Sequence, residues 1–199
     1  MKSAEDIEFL WTKYQKYCQK LDDENITKML DDIGERLIFS SFNLKSNEPY
    51  CGEGSLLEFC IDYCEEIKNI SKLFEFNQVD TKSMLFAGLF SDIGRIGTET
   101  ASRLVRQTSS WHKEKLFQEY TWNEECDKYS ITHMSLYYLH KYNVKMSWNQ
   151  FISIQLSQGM NLEENKFYLN HNPDLAIYMQ MARESLFLKK NKEFKINNI

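Results

Sequence analysis

The sequence contains little glycine and proline, only 7 and 2 of its 199 residues. All-β folds need many tight turns built from these residues, so their scarcity argues against such a fold. The chain also lacks a long apolar run and an apolar signal core near its start, so we expect no membrane span and a protein that stays in the cytoplasm. The P-loop, GxSxG and HExxH motifs of common catalytic sites are absent.

The charge and the cysteine content limit the function further. The net charge of −5 argues against a general nucleic-acid binder, which normally carries a basic patch. The cysteines are odd in number and follow no framework spacing, so we expect reduced thiols. Cys60 and Cys64 lie four residues apart, a spacing that would suit a structural metal, but no CxxC or His-x-x-x-His accompanies them. We interpret both as small buried residues and expect neither a metal nor a cofactor.

What the sequence does contain is helical periodicity. Apolar residues recur at helical spacing almost throughout, which predicts an all-α fold in a single compact helical domain, residues 1–199. The segment KSMLFAGLFSDIG is apolar on nearly every side and is expected to be the central helix. Residues 98–128 are polar, aromatic and poorly periodic, which indicates a long excursion with short helical turns. The other predicted elements are an N-terminal helix within 1–25, helices near 26–37, 132–142, 147–156 and 173–188, and a frayed basic tail at 189–199. The segment GEGSLLEFCIDYCEEIKNISKLF, from Gly52, opens with loop glycines and continues as a long amphipathic helix.

Several segments, in order along residues 30–188, resemble one group of proteins. GERLIFSSFNLKSNEPYCGEGSLLEF resembles a loop, a Gly-Gly-Leu-Leu stretch and a helix with a first histidine. MLFAGLFSDIGRIG resembles an apolar helix that ends in His-Asp, followed by Ile-Gly-Lys. SSWHKEKLFQEY, SLYYLHKYNVKMSWNQF, NLEENKFY and PDLAIYMQMARESLF resemble the later segments, the last of which ordinarily carries an aspartate. The ordered set is similar to the HD (His-Asp) superfamily of metal-dependent phosphohydrolases, in the form common among phages.

The resemblance implies an HD-domain-like helical bundle and identifies the positions of a former metal site. In the family, two histidines and two aspartates hold a divalent metal that activates a water and polarises a phosphoryl oxygen. At those positions this chain has Phe59, Ser91, Asp92 and Arg183, or Glu184 in place of Arg183 if the alignment shifts by one residue. Only Asp92 keeps the ligand type, and a guanidinium repels a cation. The resemblance therefore predicts a degenerate and catalytically inactive centre.

Asp92 is expected to form an ion pair in the place of the metal. A buried carboxylate that has lost its metal needs another partner, and Arg183 and Arg95 are the candidates. The alternative interpretation is that Asp92 is only a C-terminal residue of its helix, close to Gly94.

Two further sets of side chains are candidates for binding phosphate or another anion. Arg95, Arg103 and Arg106 would form a cluster that suits phosphate geometry, or they lie on the solvated side of a helical turn with nearby Glu99 as their partner. The second set lies in segments that resemble the family and would contact phosphate or substrate in an active relative: His112, Lys115, His133, Asn165, Lys166 and Tyr168. Their alternative roles are packing and a solvated surface.

Three functions follow from these patterns. The first is a non-catalytic HD-like protein that binds an unidentified protein partner, regulatory or inhibitory in the phage manner, through aromatic side chains at 110–129. The second is a nucleotide- or phosphate-binding module that keeps the family pocket without its metal. The third is an active phosphohydrolase with a rearranged site that uses Asp92, Glu184 or His133. The sequence does not determine the oligomeric state.

Overall fold

Helices make up most of the chain in the computed structural model, which describes residues 2–74, 78–168, 170 and 172–197, with side chains up to 193. The α-helices are α1 (Ala4–Gln19), α2 (Glu24–Phe39), α3 (Ser55–Ser71), α4 (Thr81–Phe90), α5 (Ser110–Leu116), α6 (Ile131–Lys141), α7 (Trp148–Leu156) and α8 (Asp174–Asn197). The strands are β1 (Leu104–Arg106) and β2 (Tyr120–Trp122), and 3-10 helices span Ile93–Ile96 and Glu163–Tyr168. The prediction of an all-α fold is confirmed, with a small two-stranded sheet added to it.

The first two helices begin at capping side chains that the sequence supplies. The Ser3 hydroxyl accepts a hydrogen bond from the backbone N–H of Asp6, and the Asp6 carboxylate accepts one from the backbone N–H of Ser3. Asp23 caps α2 through its carboxylate. A glycine brings the helices together, because a Cβ at Gly34 would lie 2.7 Å from the Trp11 ring.

The centre of the molecule is formed by α3 and α4. Helix α3 packs against α1, α2, α4 and α8, and its Leu57, Phe59 and Ile67 are fully buried. Helix α4 begins at the Asp80 cap and packs against α1, α3, α7 and α8. A helix that is apolar on every side can be stable only where neighbours cover every side. The observed position of α4 agrees with the prediction of a central helix.

The excursion at 98–128 contains a two-stranded sheet that the sequence did not predict. Strands β1 and β2 pair antiparallel, with Leu104 opposite Trp122 and Arg106 opposite Tyr120. Helix α5 lies between them in the chain and is the one helical segment of the expected kind within 98–128. The prediction of helical turns alone was wrong, because strands of three residues are too short for a period of two to be visible in the sequence.

The last helix extends further than the sequence suggested. Helix α8 continues to Asn197, beyond the helix predicted at 173–188, so residues 189–197 are helical, and 198–199 lie outside the described residues. Two ion pairs to α3 hold the helix there. The Lys189 ammonium lies 2.7 Å from the Glu66 carboxylate, and the Lys190 ammonium lies 3.0 Å from that of Asp62.

A single large core joins these helices into one domain. Its buried side chains come from α1–α4 and α6–α8. Cys60 and Cys64 lie within it as expected, and burial raises the pKa of both thiols well above the ordinary value. Among the described helices, none combines the length and apolarity needed to cross a membrane.

Candidate functional site

The candidate site is built around Asp92, which lies in the bend after α4. The α-helix ends at Phe90, and a 3-10 helix follows at Ile93–Ile96. Helix α6 fixes the bend, because the Ser135 hydroxyl accepts from the backbone N–H of Gly94 at 2.9 Å and donates to the carbonyl of Ser91 at 3.0 Å. The bend buries the Asp92 side chain completely.

The Asp92 carboxylate is hydrogen-bonded on both oxygens. Arg95 Nε donates to Oδ1 at 2.8 Å, and Gln158 Nε2 donates to the same oxygen at 3.0 Å. Arg183 Nη2 donates to Oδ2, and the Ser91 hydroxyl donates to it at 3.2 Å. The ion pair expected at Asp92 is therefore present, and it involves both arginines.

This cluster carries more positive than negative charge. Burial by itself would raise the pKa of Asp92, but the guanidiniums of Arg183 and Arg95 hold it far below the usual range, so the carboxylate stays ionised. The two arginine side chains are only 14% and 13% exposed. Arg183 Nε is buried and has no hydrogen-bond partner in the described part of the chain. One carboxylate thus faces two nearly buried cations.

Aromatic rings cover the rest of the cluster. The Arg95 guanidinium carbon lies 3.8 Å from the centre of the Phe42 ring, and that of Arg183 lies 5.0 Å from the rings of Phe59 and Tyr63. Phe42 and Phe59 stack with centroids 4.0 Å apart. Ring faces attract cations, so these contacts compensate part of the charge that the single carboxylate leaves unmatched.

The four positions that the resemblance assigns to a former metal site lie together. Phe59 comes from α3, Ser91 and Asp92 follow α4, and Arg183 comes from α8. Arg183 contacts both the Asp92 carboxylate and the Phe59 ring. Glu184, the other candidate for the last position, is exposed. Of the two candidates for the last position, Arg183 is therefore the residue that contacts Asp92.

These residues do not fit a divalent metal. Asp92 is the one carboxylate of the four, and two guanidiniums already bind it. A phenyl ring offers no lone pair, and guanidinium groups repel a cation. Over the whole described part of the chain, no group of three or more His, Cys, Asp or Glu side chains is arranged to hold a metal ion.

Comparison of the chain with protein-family models, with curated proteins and with solved structures gave no match. The chain is assigned to no family. The resemblance to the HD superfamily therefore stays a prediction from the ordered sequence segments. Function must therefore be argued from the side chains themselves.

The three arginines predicted to form an anion-binding cluster do not share a site. Arg95 is bound to the buried carboxylate. Arg106 Nη2 lies 2.7 Å from Glu53 Oε1 on the surface, whereas Glu99, the partner that the alternative interpretation named, pairs with Lys141. The Arg103 guanidinium carbon lies 4.5 Å from the centre of the Trp122 ring. The cluster prediction was wrong because the fold gives each of the three guanidiniums a different neighbour.

The other predicted ligand residues are also dispersed. His112 and Lys115 lie on α5, where His112 Nδ1 is 2.8 Å from the Ser109 hydroxyl and Lys115 is exposed. Lys166 is exposed and pairs with Glu163. Their positions agree with the alternative of a solvated surface.

Asn165, His133 and Tyr168 belong to the packing between α6, α7 and the second 3-10 helix. Asn165 is fully buried, its Nδ2 donates to the carbonyl of Gly159 at 2.6 Å, and its Oδ1 accepts from Gln155 at 3.0 Å. Gln155 Nε2 also lies 3.3 Å from His133 Nε2. Tyr168 packs against the small apolar cluster between α7 and α8. These contacts support structural roles for all three.

Sequence reasoning missed Gln158 and Phe42, which complete the Asp92 cluster. Gln158 follows α7 and Phe42 follows α2, so both reach the site from distant parts of the chain. Neither residue type signals such a role by itself, since glutamine after a helix is ordinarily a solvated cap. No local pattern could have identified them.

Gly94 is required by the close contact between the bend and α6. A Cβ at Gly94 would lie 2.3 Å from the backbone oxygen of Ile131 and 2.8 Å from the backbone nitrogen of Ser135. Backbone atoms cannot rotate away, so Gly94→Ala must separate the two elements. We expect a loss of about 1–3 kcal/mol in the free energy of unfolding, the usual cost of overpacking, measured by urea denaturation.

Gly52→Ala provides the comparison for that prediction. At Gly52 a Cβ would meet no atom within 4 Å, although its φ of +107° makes alanine strained there. The Gly52 variant therefore isolates the cost of backbone conformation from the cost of collision. A Gly94→Ala protein as stable as the parent would contradict the close contact.

Proposed function

We propose that this chain is an HD-like domain whose centre has been converted from a metal site to an ion-pair cluster, and that it acts by binding a protein partner and not by catalysis. The observation that carries the proposal is the Asp92 carboxylate held between Arg95 and Arg183. At the place where the resemblance puts a catalytic metal, the one remaining carboxylate, Asp92, is bound by two arginines. The centre so built is a stable part of the core.

A surface in the excursion supports binding. Helix α5 contains no buried residue, although it carries large apolar side chains. Trp111 is 57% exposed, and Leu116 and Phe117 at the end of the helix are 41% and 50% exposed. A helix that contributes nothing to the core, yet exposes an indole and a phenyl ring, offers the aromatic anchors that dominate protein interfaces. We call Trp111, Leu116 and Phe117 the α5 surface.

The test is capture of a partner by variants of the α5 surface. The variant combines Trp111→Ser with Phe117→Asn, because Phe117 has φ +55° and asparagine tolerates that conformation. Loss of one anchoring aromatic typically costs at least 2 kcal/mol in binding, so we expect affinity for the captured partner to fall by about 30-fold or more. Affinity is measured on the purified complex by calorimetry.

Trp148→Ser is the matched control. Trp148 on α7 is 67% exposed and outside the excursion, so its removal changes the exposed aromatic area without touching the α5 surface. We expect that variant to bind like the parent. Recovery of no stoichiometric partner, or equal weakening by both variants, would refute the proposal.

A further inference from the structure

The excursion forms a partly open cavity next to the two strands. Its volume is about 520 Å³, within the range that accommodates small-molecule ligands. The lining combines aromatic, cationic, acidic and thiol groups: Arg103, Trp122, Asn123, Glu124, Cys126, Asp127, Lys128 and Tyr129. None of these residues belongs to the Asp92 cluster or to the α5 surface.

Two arginine–aromatic pairs, one on the sheet and one with Arg103 directly before β1, differ in one respect. The Arg106 guanidinium carbon lies 4.7 Å from the centre of the Tyr120 ring, and Glu53 neutralises this arginine. Arg103 lies against Trp122 in a similar way, at 4.5 Å. Within the described residues, however, no carboxylate lies at ion-pair distance from Arg103, and its side chain donates no hydrogen bond. The cavity thus contains a guanidinium whose donors are free for a ligand.

The electrostatic surroundings of Arg103 favour an anion. Burial, followed by the positive charge of Arg95, lowers the pKa of Arg103 to about 10, so the group is still protonated at neutral pH. A negative charge close to Arg103 would stabilise its protonated form against both burial and the charge of Arg95. Glu124 and Asp127 also line the cavity, but both are exposed, where water screens them, and the exposed Lys128 offsets them further.

We propose that this cavity binds a planar aromatic ring that carries a phosphate group, the chemistry of a mononucleotide. The phosphate pairs with the fork of donors on Arg103, which matches phosphate geometry. The ring stacks beside the indole of Trp122 and the guanidinium plane, since aromatic rings stack on both. The site goes beyond the partner-binding function and does not depend on it.

The intact protein is titrated with adenosine 5′-monophosphate, and the indole N–H signal of Trp122 is followed by NMR. The signal is assigned by its absence from the spectrum of the Trp122→Phe variant. We expect a saturable shift. Adenosine and inorganic phosphate are titrated separately, and each is expected to bind at least about tenfold more weakly than the nucleotide, because each provides only one of the two contacts. Equal binding of inorganic phosphate would overturn the assignment of an aromatic ligand.

Arg103→Gln is expected to weaken binding of the nucleotide by about tenfold or more, the loss of one charge-assisted contact. Arg106→Gln is the matched control, since it removes an arginine of the sheet that is already paired with Glu53, and we expect no change. Absence of a saturable shift, or equal affinity in Arg103→Gln and the parent, would overturn the proposal. The Arg103→Gln variant is expected to capture a protein partner as well as the parent does. A failed nucleotide-binding proposal can therefore be distinguished from a failed partner-binding proposal.

Discussion

Replacement of Asp92 by alanine is expected to lower the free energy of unfolding by about 3–5 kcal/mol, the cost of leaving a buried charge without its partner. The variant leaves Arg95 and Arg183 nearly buried with no carboxylate between them. Domains of this size are stable by about 5–15 kcal/mol, so the loss removes a large fraction of the total. Urea denaturation followed by circular dichroism measures the difference.

Two comparisons separate uncompensated charge from lost packing. Glu53→Ala removes the carboxylate from an ion pair whose side chains are 37% and 45% exposed, and we expect it to cost less than about 1 kcal/mol. Replacing the whole cluster, with Asp92→Leu, Arg95→Met and Arg183→Met together, is expected to restore much of the stability, because well-packed apolar residues often replace buried ion pairs without loss. If Asp92→Ala proved as mild as Glu53→Ala, the cluster would not be the buried network described above.

Restoring the ligands that the resemblance implies is expected to restore metal binding. The variant combines Phe59→His, Ser91→His and Arg183→Asp, which with Asp92 gives two imidazoles and two carboxylates. The four positions already meet in the structure, and the substitution at 183 removes one of the two guanidiniums that bind Asp92, leaving Arg95. We expect the variant to retain about one Mn²⁺ per chain, since imidazole and carboxylate ligands suit this ion. Elemental analysis after dialysis and calorimetric titration measure it.

The control for this variant adds Asp92→Asn, which keeps the shape of the side chain but removes its charge. We expect it to lose the metal. Ser91→His with Arg183→Asp, which retains Phe59 in the core, is the fallback if the full variant does not fold. A folded full variant that binds no more metal than the parent would show that the resemblance places the ligands wrongly, and the interpretation of the centre as a former metal site would fail with it.

The all-α class and most helix positions were visible in the sequence because helical periodicity and caps are local signals. The segments that became α4, α6 and α7 carry apolar spacing and capping residues such as Asp80 and Ser147 within a few positions of each other. The sequence did not reveal the extension of α8, whose first lysines meet acids of α3 only in the folded chain. The sequence did not predict strands β1 and β2 either, because each is short and is stabilised by pairing with the other.

The candidate site at Asp92 was likewise predicted only in part from the sequence. The sequence by itself determined the fold class. Residue identity also shows that Phe59 and Arg183 offer no ligand to a metal, whereas a former metal site at these positions stays a prediction from the resemblance. Only the tertiary structure decided that Asp92 is shared by two arginines and closed off by aromatic rings, because Gln158 and Phe42 reach it from other helices.

The same holds for the arginines that follow Asp92. In the sequence Arg95, Arg103 and Arg106 are equivalent cations, and spacing gave no reason to distinguish them. In the fold, Arg95 pairs with a buried carboxylate and Arg106 pairs with a surface glutamate. Arg103 instead lies against an indole, beside an open cavity. Charge is a property of the residue, but whether that charge is neutralised depends on which distant groups the fold brings within a few ångströms of it.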